Sequence, residues 1–80
     1  MKIPRDLSGA ELLKRLGKLG YRFCWQTGSH LICETECNGK HRISIPNHDP
    51  VKIGTLSLIL SEIAEHHDIT KQELLRKIMS

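Results

Sequence analysis

The sequence predicts an α+β fold: a two-layer sandwich with the order α-β-β-β-α and a short further helix, the helices covering one side of a three-stranded antiparallel sheet. Three observations carry this expectation. A capped segment with leucines at helical spacing opens the chain, period-two segments joined by Asn38-Gly39 fill its middle, and two more helical patterns close it.

In the first element Ser8 and Glu11 form a capping-box pair, and Leu7 and Leu12 are placed for a hydrophobic staple. Leu12, Leu13, Leu16 and Leu19 then share one helical face, and Gly20 supplies the left-handed residue that ends it. Tyr21, Phe23 and Trp25 alternate with Arg22, Cys24 and Gln26, the period of a half-buried strand. Thr27-Gly28 breaks that strand, and Ser29 to Thr35 reads as a second.

Asn38-Gly39 signals a two-residue type I′ hairpin. That loop would set Cys37 opposite Lys40, Ile32 opposite Ile45 and Glu34 opposite Ile43. The third strand spans Arg42 to Ile45 and stops at Pro46. Asp49-Pro50 reads as an N-cap with proline at the first helical position. Ile53, Leu56, Leu60 and Ile63 continue the helix to about Glu65, with Gly54 inside it as a mark of close packing. His66-His67-Asp68 connects to a last helix opened by a second capping box, Thr70 and Glu73, with Ile69 and Leu74 as staple. Leu74, Leu75, Ile78 and Met79 form its apolar side.

Eighty residues are read as one domain, 1–80, and exclude a multidomain enzyme. A net charge of +3 is compatible with a polyanionic partner. Met1 to Asp6 has no apolar run behind it, so no cleaved secretory signal is expected. No stretch approaches the ~18 apolar residues of a membrane span, so no membrane is expected as a partner. Three cysteines are an odd number, which argues against a disulfide framework and for a reducing, cytoplasmic location. Cys33, Cys37 and His41, with Cys24 in reserve, form a rival zinc reading, but their C-x3-C-x3-H spacing does not match the common ligand pairs. No metal and no cofactor are expected.

Taken together, Gly28-Ser29-His30, then Ile45-Pro46-Asn47-His48, then Lys52-Ile53-Gly54-Thr55-Leu56 and Ile59-Leu60 make the chain resemble the HicA family. These are small toxins, the YcfA-like mRNA interferases of bacterial and archaeal toxin–antitoxin pairs. The resemblance spans roughly Ser8 to Ile78. It implies a catalytic histidine at His30, presented by the turn Gly28-Ser29, an mRNA substrate, and a HicB-type antitoxin that blocks the active surface. The order α-β-β-β-α is also that of the double-stranded RNA-binding domain. Family members often carry an arginine three residues before the glycine and a second histidine after the first. Here those places hold Trp25 and Leu31.

The chemistry is coherent. A base removes the proton of a ribose 2′-hydroxyl, which attacks the adjacent phosphorus, and histidine suits this role near neutral pH. Lys14, Arg15 and Lys18 line one side of the first helix as candidate RNA-binding residues, or as a solvated face, and Lys52 joins them near the second helix. His48 is a candidate second acid or base, or a loop cap. Strict alternation offers His30 a second reading, a core-side histidine on the Ile32 face opposite Ile45. His41, His66 and His67 are expected in solvent. A non-catalytic RNA-binding module of the same fold is the alternative to a ribonuclease.

Overall fold

The computed structural model describes residues 3–80; Met1 and Lys2, where the segment read for a secretory signal begins, lie outside them. Helix α1 covers Gly9–Leu16 and tightens into a 3₁₀ turn over Gly17–Leu19. Strands β1 (Arg22–Thr27), β2 (His30–Thr35) and β3 (His41–Pro46) follow, then helices α2 (Ile53–His66) and α3 (Lys71–Ile78). The sheet is an antiparallel meander in the order β1-β2-β3. One apolar cluster joins Leu12 and Leu16 of α1, Leu31 and Cys33 of β2, Ile43 and Ile45 of β3, Leu56, Leu60 and Ile63 of α2, and Leu74 and Ile78 of α3. Each buried leucine or isoleucine contributes about 1.5–3 kcal/mol. The predicted α+β sandwich therefore forms, with its helices on one side and the other side of the sheet left open.

The helix ends follow local chemistry, with one difference. Ser8 Oγ accepts from the Glu11 amide (3.1 Å), but the Glu11 carboxylate turns to Arg15 (3.2 Å) and does not close the box. The box at Thr70 and Glu73 is complete, both bonds measuring 3.0 Å. Gly20, at φ +83°, ends the 3₁₀ turn.

The β2–β3 register differs from the expected one by a single residue. Leu31 faces Ile45, Cys33 faces Ile43, and Glu34 faces Arg42, not Ile43. Asn38 (φ +58°) and Gly39 (φ +94°) are both left-handed, as an Asn-Gly turn requires, but the ladder closes at Thr35 and His41. The loop is therefore five residues long. The Gly39 amide donates to the Glu36 carbonyl, and Thr35 Oγ1 accepts from the Cys37 amide. A one-residue slip exchanges the two faces of a strand. The expected register would set the Glu34 carboxylate beside Ile43 in the core, whereas the observed one gives it an arginine.

Strand β1 also breaks its expected alternation. Phe23 pairs with Cys33 and Trp25 with Ile32, leaving Cys24 as a bulge between them. Trp25 thereby moves to the face opposite Phe23.

Helix α2 begins at Ile53, not Pro50, and its cap is Lys52, without a side-chain bond. The local Asp49-Pro50 signal is overridden by tertiary packing: Val51 is buried and its amide donates to the Leu7 carbonyl (2.9 Å), holding the segment out of the helix. Gly54 consequently sits in the first turn, with no atom near its missing side chain, so close packing does not explain it. The close approach is at Gly9, where an added Cβ would meet the Pro46 carbonyl oxygen at 2.1 Å.

Candidate active site

Two strands of sequence motif meet at one end of the sheet. Gly28, at φ +58°, and Ser29 form the two-residue loop between Thr27 and His30, with glycine at the first central position as a type II′ turn requires. Gln26 Nε2 donates to the Gly28 carbonyl (3.1 Å), and the Asn47 amide donates to the Ser29 carbonyl (2.7 Å). His30 pairs with Pro46. The Gly28-Ser29-His30 turn and the Pro46-Asn47-His48 segment are thus side by side. The start of α1 fixes the second of them, because the Gly9 amide donates to the His48 carbonyl (2.9 Å).

The register decides where His30 faces. Leu31, its neighbour, is in the core, so alternation sends His30 to the open side, and it is exposed. The core-side reading, which paired its face with Ile45, is overturned. His48 is exposed as well, two residues beyond the cross-strand partner of His30.

Cross-strand partners share a face, which gives the open side three rows. The first is Thr27, His30 and Pro46; the second Trp25, Ile32 and Ser44; the third Arg22, Glu34 and Arg42. Arg42 Nε and Nη2 both lie 2.8 Å from Glu34 Oε2, and its guanidinium carbon stands 4.8 Å from the centre of the Trp25 ring. Lys40 Nζ is 3.9 Å from Glu34 Oε1. The Arg42 hydrogen bond holds the Glu34 carboxyl below its ordinary pKa, with further help from the Lys40 charge. Sequence reasoning missed the Arg22-Glu34-Arg42 row, because it becomes legible only once the register is known.

The basic residues of α1 stand elsewhere. Arg15 Nη1 donates to the Ile78 carbonyl (3.1 Å) and Lys18 Nζ to that of Ser80, so both tie α1 to the end of α3. Lys14 is exposed, and so is Lys52 at the start of α2.

The three histidines expected in solvent instead gather, half-buried, around Tyr21. Its hydroxyl lies 2.7 Å from His41 Nδ1 and 3.2 Å from His67 Nε2, and His41 stacks on His66 at 4.3 Å. His66 Nε2 faces the carbonyls of Cys37 (3.1 Å) and Gly39 (3.0 Å), so that nitrogen carries the proton and donates. His41 Nε2 lies 3.3 Å from Glu62 Oε2. Burial, then the neighbouring His66 and His41, lower the His67 pKa. Burial foremost pushes the Tyr21 hydroxyl up.

Among the described residues Cys33, Cys37 and His41 form no metal-ligating group. Cys33 is a core residue whose thiol burial pushes up to about 12, while Cys37 is exposed in the turn. No helix among the described residues is long and apolar enough to cross a membrane.

Searches of curated proteins and of solved structures found no match. The family model described as HicA toxin of bacterial toxin-antitoxin matches residues 9–65, from the first residue of α1 almost to the end of α2. That span holds all three strands and both motifs at the open end of the sheet, and the chain belongs to the HicA family of toxin–antitoxin systems, toxins that are generally ribonucleases.

Proposed function

We propose that this chain, as one domain, is an mRNA interferase that cleaves RNA without a metal, using His30. The observation that carries the reading is an exposed histidine at the first residue of the central strand, on the helix-free face, beside a loop clamped by Asn47 and Gly9. The imidazole of His30 takes the proton of a ribose 2′-hydroxyl as its oxygen attacks the neighbouring phosphorus. The P–O5′ bond breaks, and the leaving oxygen takes a proton from an acid. His48 is the candidate for that acid, and otherwise water serves. The products are a 2′,3′-cyclic phosphate and a 5′-hydroxyl. One positioned base contributes roughly 10²–10⁴-fold, so turnover is slow.

Lys52 and Lys14 are the candidates for phosphate contacts; Arg15 and Lys18 contribute less, because the carbonyls of Ile78 and Ser80 already engage them. The natural partner is a HicB-type antitoxin that covers the open face. The site of action is the cytoplasm, where mRNA is available.

The test expresses wild type and His30→Ala side by side and follows growth and RNA ends. Arrest and cyclic-phosphate ends are expected from wild type alone. Arrest by a folded His30→Ala protein refutes the assignment. RNA binding without His30-dependent cleavage would leave the non-catalytic module instead.

A further inference from the structure

Trp25 is 45% exposed, a large aromatic on the helix-free face, one row from His30. Two residues of strand separate those rows, about 6.5–7 Å at 3.2–3.4 Å per residue. The indole is not loose. Arg42 reaches across the central strand to the Trp25 ring at 4.8 Å, and Glu34 fixes the guanidinium with two 2.8 Å contacts. Ile32, the cross-strand partner of Trp25, is only 8% exposed on this face. With its charge engaged by Glu34, Arg42 is a poor phosphate ligand and a good backing plate. The result is an aromatic side chain held in place by a guanidinium and still 45% exposed.

We infer that Trp25 is a stacking platform for an unpaired RNA base next to the phosphate cleaved with His30 as base, an inference that rests on the ribonuclease reading above. Unstacked bases are held on aromatic side chains wherever single-stranded RNA is recognised, and a guanidinium behind the ring strengthens the platform. Trp25 positions the substrate; it takes no part in proton transfer. The preference that follows is for single-stranded over duplex RNA, because a paired base cannot lie flat on the indole. A protein partner on this face would bury the same ring, but the position of Trp25 one row from His30 favours the nucleotide.

Trp25 is the sole tryptophan of the chain, so its fluorescence reports this contact alone. The probe is a short single-stranded RNA with 2′-O-methyl groups, which binds without being cut, with a duplex of the same sequence as comparison. Labelled-RNA anisotropy measures binding independently. The single strand should quench Trp25, Trp25→Ala should weaken its binding about five- to one-hundredfold, and Trp25→Phe should retain most of it. An RNA that binds while the emission stays unchanged overturns the platform, and His30-dependent cleavage in parallel would leave the ribonuclease reading standing. Quenching by single-stranded RNA without cleavage by wild type removes the nuclease and overturns the placement beside a cleaved phosphate, leaving Trp25 a stacking contact of a non-catalytic RNA-binding module. Quenching by the antitoxin but not by RNA assigns the ring to a protein contact and ends the proposal, and so does the absence of any RNA binding.

Discussion

The Asn47 amide donates to the Ser29 carbonyl across 2.7 Å, so the loop that follows β3 holds the turn that presents His30. Asn47 is itself braced from behind, since the start of α1 lies against Pro46 so closely that only glycine fits at position 9. The candidate site is therefore supported by a helix on the far side of the sheet.

Gly9→Ala tests that support. The added Cβ meets backbone, 2.1 Å from the Pro46 oxygen and 3.2 Å from Asn47 Cα, and backbone cannot swing aside. A destabilisation of about 1–3 kcal/mol is expected, together with reduced RNA cleavage. Gly54→Ala is the control: it meets nothing within 4 Å, so it should melt no lower than wild type. Equal melting of the two variants would show that the contact at Gly9 is not restrictive.

Tyr21→Phe removes the hydroxyl shared by His41 and His67 and leaves two ring nitrogens without that partner. The expected cost is about 1–3 kcal/mol, read as a lowered melting temperature. The cluster stands at the end of the sheet where β2 finishes and β3 begins, whereas His30 opens β2. Cleavage per folded molecule should be unchanged. A variant that melts like wild type would mean that the rings exchange the hydroxyl for water without loss.

Stability should fall on mild acidification. The folded His67 has a lowered pKa, so below the ordinary histidine value of ~6.5 the unfolded chain binds a proton that the folded one refuses. This contribution is complete above about pH 6.5 and is lost as the pH falls through the folded value. His41, His66 and Tyr21 surround the ring, with Glu62 facing His41, so a charge on His67 would meet two imidazoles. Urea midpoints from about pH 7.5 to about pH 5.5 should decrease for wild type and flatten for His67→Gln. A flat wild-type profile would count against the mechanism. At lower pH Glu34 and Glu73, both held below their ordinary values by hydrogen bonds, continue the decline in the same direction.

Local signals in the sequence were sufficient where the physics is local. Ser8, Gly20, the Thr70–Glu73 box and the apolar spacing of all three helices required no knowledge of the rest of the chain. Sequence and structure part where a distant partner decides. Asn38-Gly39 specifies left-handed residues but not loop length, and the choice of register depends on Glu34 finding Arg42. Asp49-Pro50 has the form of a helix start, and Val51 bonding to Leu7 prevents it. His30 was identifiable from its motif, but its exposure followed only from the register. The group around Tyr21 joins positions 21, 41, 66 and 67 from three parts of the chain, and no spacing rule links them.

Strand β1 spends six residues on five rungs. The surplus residue, Cys24, is what allows Phe23 and Trp25 to look in opposite directions across an even count. Losing Cys24 alone would leave a regular ribbon with every remaining side chain on its present face, so this is the one place in β1 where the chain can shorten by a residue without turning the sheet inside out.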